Sequence, residues 1–510
     1  MKKMNKYKMM TGLVFTLTFF LSSCVLDLEE DTSGVFSIGS LNTQSDIDAA
    51  LAPAYRSMME AYRESHRQRC ITYGADDLTT WWGGNKEIFR IFDRFDYGNG
   101  ESSSHPWLQY TWDQYWGTIY FANTVIDGLK SSTADENLVL AAEGEARFLR
   151  ALAYFHLVRS WGNMPIIVDG VAPTGDEVRA TVLENYQLIE QDLLFAEANL
   201  PAPQNVTAVG KVSLAGAKTL LADLYLTWGG WPVKDASKYA MAAQKSKDVI
   251  DMNYYSLLPF DELWKQENQN SLESIFAVQF SEAEDIRYIG PQNFHFHSAG
   301  GWSDAYPERQ FFIDFPEGFR KDITFYSEIP QRVGGGGQVT ETGETKPWPE
   351  SQRNHPMYRK FNIAERKDLG NKLFSFRAVE VYRYAEVLLL YAEAQTRASG
   401  ANAQAIEAFN QVKRRSMGLP YNVPDGSVDV ATMTADEIVA EKGWELAGEY
   451  KRWFDLVRTE KVQEVTLRRD PTEEIALVRQ PTEANYIAPI PQETINTSKI
   501  KQNPEGFKIQ

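Results

Sequence analysis

Residues 379–398 of the chain read VEVYRYAEVLLLYAEAQTRA. Apolar side chains recur in this stretch at the spacing of one helix face, which predicts a helix over 379–398. A second helical segment follows at 402–416, where Ala403, Ala405 and Phe409 can interlock with the first helix. Small and aromatic side chains that let two helices approach closely are typical of tetratricopeptide-type helix pairs. The stretch therefore predicts a protein built from paired helices.

Helical patterning continues on both sides of this pair. The other predicted helical segments begin at about Thr43 and then lie at 109–129, 137–161, 180–199, 213–228, 235–251 and 434–458. Segments 215–225 and 239–243 form a weaker copy of the pair, although no strict period of about 34 residues links the copies. Residues 434–437 have a capping-box pattern, and Gly162 and Gly400 stand where glycine commonly ends a helix. The sequence predicts a mostly α protein.

The segment 252–378 differs from the helical regions 41–251 and 379–510. It is rich in glycine, proline and aromatic residues, and it has short strand-like runs such as 274–280. A connection this long between helical blocks more often carries function than serves as a passive linker. We therefore expect a loop-rich insertion with short strands that binds the ligand.

The composition excludes several classes of protein. Of the 510 residues, 43% are hydrophobic and 24% are charged, which is usual for a folded protein and not for a disordered or multi-span membrane chain. The formal net charge of −17 makes nucleic acid an unfavourable partner. With 13 Trp, 24 Tyr and 27 Phe, the chain has either a heavily packed body or stacking platforms for flat ligands.

The N-terminus has the pattern of a lipoprotein signal peptide. Four lysines in the first eight residues precede the apolar run 9–21, which is too short to span a membrane, and Leu21-Ser22-Ser23-Cys24 follows. This resembles a bacterial lipobox, in which the cysteine is acylated after removal of residues 1–23; the alternative is an ordinary secretory cleavage site. Residues 24–40 would then form an acidic, lipid-anchored tether. The remaining thiol, Cys70, is expected to be buried and inert.

Four motifs in order resemble the SusD/RagB family. They are residues 148–165 (beginning FLRALAYF), 381–394 (VYRYAEVLLLYAEA), 445–456 (ELAGEYKRWFDL), and the closing pair 486–491 with 502–504. Tyr450 departs from the pattern, since this position is usually Gly. The resemblance spans nearly the whole mature chain, with 41–251 as the N-terminal SusD-like region and 379–510 as the C-terminal RagB/SusD region.

The resemblance implies a fold and a function. The fold is an α-superhelix with tetratricopeptide-like helix pairs and a loop-rich binding side. Family members are surface lipoproteins that bind an oligomeric nutrient, usually a glycan, and cover a SusC-like TonB-dependent transporter. They have no known catalytic residues. This implies a protein held at the cell outer membrane through Cys24, facing the exterior, with no enzymatic activity, cofactor or metal.

The motif residues themselves are expected to be structural. Arg383, Glu386 and Glu393 fall on one predicted helix, and Arg383 can pair with Glu386 along its face. The Trp453 to Leu456 run is expected to pack in the core, with Asp455 as a cap or an ion-pair partner.

The first candidate for ligand binding is the segment 76–85, which reads DDLTTWWGGN. Sugar recognition requires flat aromatic faces and planar polar groups, so Trp81, Trp82, Asn85 and Asp77 are the predicted contacts. Adjacent side chains seldom point the same way, and at least one tryptophan is therefore expected to be exposed. The alternative is that both tryptophans belong to the core.

The second candidate is the segment 288–306, in which Tyr288 and Trp302 are the predicted ligand contacts. His295 and His297 would share one face of a strand, but a metal pair there lacks a third ligand. Trp348, between two prolines, could be a further platform.

Other functions remain as alternatives. The chain has no P-loop, G-x-S-x-G, H-E-x-x-H or paired C-x-x-C motif. A peptide groove, as in the RagB branch, would use amides and apolar pockets. A glycoside hydrolase would need two carboxylates about 5–10 Å apart. A purely structural scaffold would have no exposed aromatic arc. The leading hypothesis is a glycan-binding lipoprotein, with the sugar unspecified.

Overall fold

The computed structural model describes residues 41–64, 67, 69–97, 102–171, 173–206, 208–335, 338–361 and 374–503. Cys24 and the acidic tether lie outside the described residues. In the described part the α-helices are α1 Gln44–Arg63, α2 Glu87–Asp93, α3 Pro106–Leu129, α4 Glu136–Trp161, α5 Val182–Asn199, α6 Leu214–Gly229, α7 Lys238–Asp251, α8 Gly290–Phe294, α9 Arg309–Asp314, α10 Phe319–Thr324, α11 Tyr384–Ser399, α12 Ala403–Ser416, α13 Ala435–Glu445, α14 Arg452–Arg458, α15 Val462–Leu467 and α16 Gln492–Thr497.

The long helices form a continuous row. α1 packs on α3, and each of α3 to α7 packs on the next long helix in the chain. α7 then packs on α11, which in turn contacts α12 and α13. A single core cluster includes Leu149 of α4, Leu221 of α6 and Leu389 of α11. The predicted fold, mostly α with tetratricopeptide-like helix pairs, is confirmed.

The strands form three small antiparallel pairs. They are β1 Ser274–Val278 with β6 Val379–Arg383, β2 Phe325–Tyr326 with β5 Met357–Tyr358, and β3 Glu328–Gly335 with β4 Gln338–Pro347. Because β1 to β5 all lie between α7 and α11, the insertion with short strands is also confirmed. β6 pairs with β1 in a register that sets Ser274 opposite Arg383.

Predicted helix ends are present in the structure. Thr434 accepts a hydrogen bond from the backbone N–H of Glu437, whose side chain returns to the Thr434 backbone, which is the expected capping box. Gly162 and Gly400 follow the last residues of α4 and α11 with φ of 79° and 88°, a conformation that favours glycine.

Two helix predictions were partly wrong, one at its start and one in its interior. Residues 379–383 form β6 instead of the first turn of α11, because β1 supplies a partner strand. The predicted helix 434–458 is interrupted after Glu445 and resumes at Arg452. Gly448 and Tyr450 have φ of 73° and 60° in this break. The family pattern usually has Gly at position 450. The positive φ of Tyr450 explains this preference, because glycine adopts that backbone conformation most easily.

The motif residues are structural, as expected, but their pairing differs. Arg383 does not pair with Glu386. It precedes α11 and donates to Glu445 and Glu449 from the α13 region, whereas Glu386 pairs with Lys451. The local spacing along one helix was misleading, because β6 turns Arg383 away from the α11 face.

The closing motif packs against the first one. Trp161 Nε1 donates to the carbonyl of Pro489 at 3.0 Å, and the Asn503 side chain donates to the carbonyls of Trp161 and Ala488 at 3.1 and 2.7 Å. The two motifs, which are 328 residues apart at Trp161 and Pro489, thus close the C-terminal segment onto α4.

Candidate ligand-binding site

The structure brings the two predicted aromatic segments together. Thr79 and Tyr306 form an antiparallel bridge, in which the Thr79 N–H donates to the Tyr306 carbonyl at 2.7 Å and the Tyr306 N–H donates back at 3.1 Å. Lys86 forms a buried ion pair with Asp304. Residues 76–85 and 295–306 therefore lie side by side on the loop-rich part of the molecule.

Trp81 is at the centre of a small cluster. Its ring is edge-on to the His297 ring, with 5.0 Å between centroids. The guanidinium carbon of Arg353 lies 4.2 Å from the centroid of the Trp81 ring. Arg353 Nη2 is also 3.3 Å from His297 Nδ1. We call Trp81, His297 and Arg353 the Trp81 cluster.

Trp82 is the exposed member of the tryptophan pair. Its exposed fraction is 64%, whereas Trp81 is only partly exposed. The turn after Trp82 requires glycine at both following positions. A Cβ on Gly83 would lie 2.6 Å from Cζ2 of Trp81, and Gly84 has a φ of 64°, which favours glycine. Asn85 is exposed directly after this turn. The expectation that at least one tryptophan is exposed is confirmed.

Trp302 lies in a second cluster. The Arg67 guanidinium carbon is 5.6 Å from the Trp302 ring centroid and 4.3 Å from that of Trp107. Arg67 also forms an ion pair with Glu64. Trp302 is partly exposed, so one of its surfaces contacts Arg67 and another meets solvent.

Asp77 and Tyr288 do not belong to the exposed surface. Asp77 is fully buried, and its Oδ2 accepts from the Gly448 N–H at 2.9 Å. Burial and the neighbouring Asp76 raise the pKa of Asp77 to about 7. Tyr288 is buried as well and bridges to Ser375 through its backbone. The prediction that Asp77 and Tyr288 contact the ligand was therefore wrong. Both residues are buried by parts of the chain that are distant in sequence.

The histidine prediction was wrong in its geometry. His295 follows α8 and is buried, whereas His297 begins a short 3-10 turn and is exposed, so they do not share a strand face. Within the described ranges, no group of three or more His, Cys, Asp or Glu residues is arranged to hold a metal ion. Trp348 is only partly buried, and its ring lies 5.7 Å from that of Phe312.

Sequence reasoning missed Arg353 and Arg67. An isolated arginine in a loop has no periodicity or spacing that separates it from a solvated side chain. Its relation to Trp81 arises only when residues 272 positions apart meet. The polar neighbours Gln352 and Asn354, which are both exposed, could have marked this loop as a polar surface, but polar residues in a loop are not specific for a binding site.

A separate groove lies outside the two aromatic segments. It has a volume of about 870 Å³ and runs between α1 and the end of β1, with a mostly aliphatic lining that includes Leu51, Pro53, Met59 and Val278. The described residues that line this groove include no tryptophan, whereas the tryptophan surface has the large flat rings suited to stacking. We therefore take the tryptophan surface as the candidate site in preference to this groove.

Comparison with known proteins agrees with this architecture. Residues 319–505 match the model described as the SusD family, and residues 26–226 match the one described as "Starch-binding associating with outer membrane". The chain is 28% identical to SusD-like protein P2 of Formosa agariphila, over 99% of this chain and 100% of that protein.

Two solved structures share the fold. A SusD homolog from Bacteroides thetaiotaomicron superposes with a TM-score of 0.75 at 23% identity, covering 91% of this chain and 97% of the other. Surface glycan-binding protein A from Bacteroides fluxus superposes with a TM-score of 0.71 at 23% identity, covering 91% of this chain and 99% of the other. Since the two matched family models together span most of the sequence, the chain belongs to the SusD/RagB family.

Proposed function

We propose that this protein is a surface lipoprotein that binds an oligosaccharide and delivers it to a SusC-like TonB-dependent transporter. The observation that carries this proposal is the meeting of two aromatic segments on one surface, with Trp82 64% exposed beside the Trp81 cluster. The name of the Bacteroides fluxus relative supports a glycan as the ligand class.

The surface has both kinds of group that sugar recognition needs. The exposed Trp82 ring can stack on the C–H face of a sugar, which is worth on the order of 1 kcal/mol beyond burial. Asn85, His297 and Arg353 supply amide, imidazole and guanidinium groups for hydroxyl pairs. Trp302, which is partly exposed in the 295–306 segment, gives a second platform. Two platforms favour an oligomer over a single sugar.

Our proposals for membrane attachment and transport rest on other features of the chain. The family description that residues 26–226 match names association with the outer membrane. None of the described helices is both long and apolar enough to cross a membrane. We propose that acylated Cys24 anchors the protein, and that the tether lets it cover the transporter from the exterior.

We propose that the protein binds its ligand without cleaving it. Hydrolysis of a glycosidic bond needs one carboxyl group as an acid and another as a base or nucleophile. The carboxylates next to the Trp81 cluster have structural partners: Asp304 pairs with Lys86, and Glu474 accepts from the Tyr306 hydroxyl at 3.2 Å. Purified protein should return a bound oligosaccharide unshortened when the mixture is analysed by chromatography.

The test of the binding site is Trp82→Ala. We expect it to weaken oligosaccharide binding by about 1–3 kcal/mol, because the variant loses one stacking platform. Isothermal titration calorimetry with neutral and acidic oligosaccharides measures the change. Tyr120→Ala on α3 is the matched control, since Tyr120 is also an exposed aromatic residue, 40% exposed, but lies outside the two segments.

Three results would each contradict part of the proposal. Equal affinity of Trp82→Ala and wild-type protein would remove Trp82 from the site. If no oligosaccharide bound while extended peptides did, the peptide-binding alternative would replace glycan capture. Affinity purification of the native lipoprotein from its membrane, followed by mass spectrometry, tests the partner; recovery without a TonB-dependent transporter would contradict the delivery step.

A further inference from the structure

Arg353 is an unusual charged group in the candidate site. Its side chain is only 9% exposed, although Gln352 and Asn354 on either side of it are exposed. The guanidinium group lies against the Trp81 ring and beside the exposed His297. A cation is therefore held at the base of the surface that we propose binds oligosaccharide.

The charge of Arg353 is poorly compensated. The carboxylate that faces it is that of Glu474, whose Oε1 is 3.9 Å from Nη1, and the other oxygen of Glu474 already accepts from Tyr306. Nε of Arg353 is buried and has no hydrogen-bond partner among the described residues. By contrast, Lys86 is in direct ion contact with Asp304. The ion pair with Glu474 is long, at 3.9 Å, so an acceptor that a ligand brings to the exposed edge of the guanidinium would be stabilising.

The electrostatic environment of His297 points the same way. Burial lowers the pKa of His297, and the positive charges of Arg353 and Lys86 lower it further, against a smaller opposing effect of Asp304. Burial likewise lowers the pKa of Arg353. Two cations, Arg353 and Lys86, therefore lie close enough to act on the imidazole of His297, although the whole chain has a formal charge of −17. Distant acids matter little, because salt screens exposed charges beyond about 8 Å at physiological ionic strength.

We propose that the oligosaccharide is acidic, and that Arg353 binds the carboxylate of a uronate unit next to a sugar ring stacked on Trp82. This inference rests on the proposed function. A planar guanidinium can form two parallel N–H···O hydrogen bonds with a carboxylate, and the pair also neutralises both charges. The hydroxyls of a neutral sugar can accept from Arg353 but leave its charge uncompensated.

The test compares two panels of oligosaccharides that differ only at the carboxyl group. One is a panel of uronic-acid hexasaccharides, and the other is the same panel after chemical reduction of the carboxyl groups to primary alcohols. A neutral glucan hexasaccharide is included as a reference. The proteins are the lipid-free full-length mature chain as wild type, Arg353→Gln and Arg353→Lys, each checked for an unchanged melting temperature. Calorimetric titration gives the dissociation constants.

We expect at least one uronate hexasaccharide to bind the wild type roughly 10- to 100-fold more tightly than its reduced counterpart, the scale of a charged hydrogen-bonded pair. Arg353→Gln should abolish this preference, and Arg353→Lys should retain part of it because a point charge remains. Since Arg353 also supports Trp81, the reduced ligand is decisive. A loss that is equal for both ligands would assign Arg353 only to positioning Trp81 and would overturn the inference.

The outcome separates this inference from the proposed function. Binding of neutral glucan or reduced ligands with no preference for any uronate overturns the acidic-ligand inference and leaves glycan capture intact. Failure of every oligosaccharide, acidic or neutral, overturns both. If Arg353→Gln proves unstable, the comparison of charged and reduced ligands on the wild type and on Arg353→Lys still decides the matter.

Discussion

Glu445 is a buried residue whose loss should destabilise the fold strongly with little change in side-chain shape. It is fully buried at the end of α13, and it accepts from Arg383 at 2.5 Å, from Arg320 at 3.0 Å and from Arg415. Since Arg320 lies in α10 of the insertion, the cluster fastens the loop-rich segment to the helical body. The perturbation is Glu445→Gln, which keeps the volume and removes the charge.

The structure sets the size of the effect. The buried network has balanced charge, with four basic and four acidic side chains: Lys360, Arg320, Arg383 and Arg415 against Glu273, Glu441, Glu445 and Glu449. Glu445→Gln leaves one buried positive charge without a counterpart. Removing one partner of a buried ion pair typically costs about 3–5 kcal/mol, so we expect a loss of unfolding free energy in that range.

Urea unfolding followed by tryptophan fluorescence, at matched pH and salt, measures this loss. Glu460→Gln is the control, because Glu460 pairs with Lys234 at 2.8 Å on the surface and should contribute less than about 1 kcal/mol. A loss below about 1 kcal/mol for Glu445→Gln, equal to that of the control, would refute the reasoning that the network depends on this charge.

The pH dependence gives a second check on Glu445. Burial alone would raise the pKa of Glu445, but Arg415, Arg383 and Arg320 outweigh it and hold the pKa below its usual range. The ionised carboxylate therefore stabilises the fold fully above the unfolded pKa of about 4.3, and this contribution is lost as the pH falls towards the lower folded value. The stability difference between wild type and Glu445→Gln should accordingly narrow below about pH 4.

Three further predictions concern other parts of the chain. Cys24→Ala should give a soluble or unprocessed protein in membrane fractionation, and quantitative recovery with the detergent phase would exclude the lipobox. Gly448→Ala should lower the unfolding free energy by about 1–3 kcal/mol, because φ is 73° and the new Cβ would lie 2.9 Å from Phe361; Gly426→Ala, with nothing within 4 Å, should have little effect on the same urea curve. Cys70 is buried with its pKa raised to about 12, so a thiol reagent should modify it only in denaturant, and rapid labelling of the native protein would contradict that burial.

Much of the helical architecture could be predicted because its signals are local. The capping box at Thr434 and the stop at Gly400 need only the residues within one helical turn. The same local reasoning failed at Arg383. Its spacing of three residues from Glu386 suits a pair on one helix, but residues 379–383 pair with β1 as a strand, so the helix begins only at Tyr384. It also failed at Gly448, since a glycine inside an otherwise helical pattern does not by itself show whether the helix ends there.

The candidate site was predictable in composition but not in arrangement. Trp81, Trp82 and Asn85 were identified because aromatic and amide groups beside a glycine pair are the chemistry of sugar binding. Asp77 is only four residues from Trp81 in the sequence, yet it is buried, because Gly448 and Tyr358 cover it from distant parts of the chain. Sequence proximity therefore did not separate a contact residue from a packing residue.

The sequence by itself determined most of the helices, the capped ends at Thr434 and Gly400 and the family resemblance, because hydrophobic periodicity, capping and motif order are properties of neighbouring residues. Only the tertiary structure decided that Trp82 faces solvent and that the cation Arg353 lies against the neighbouring Trp81. Those features depend on contacts between segments far apart in the chain, such as Trp81 with Arg353 and Thr79 with Tyr306. Burial and charge compensation are set by all the groups that surround a side chain, and folding alone brings those groups together.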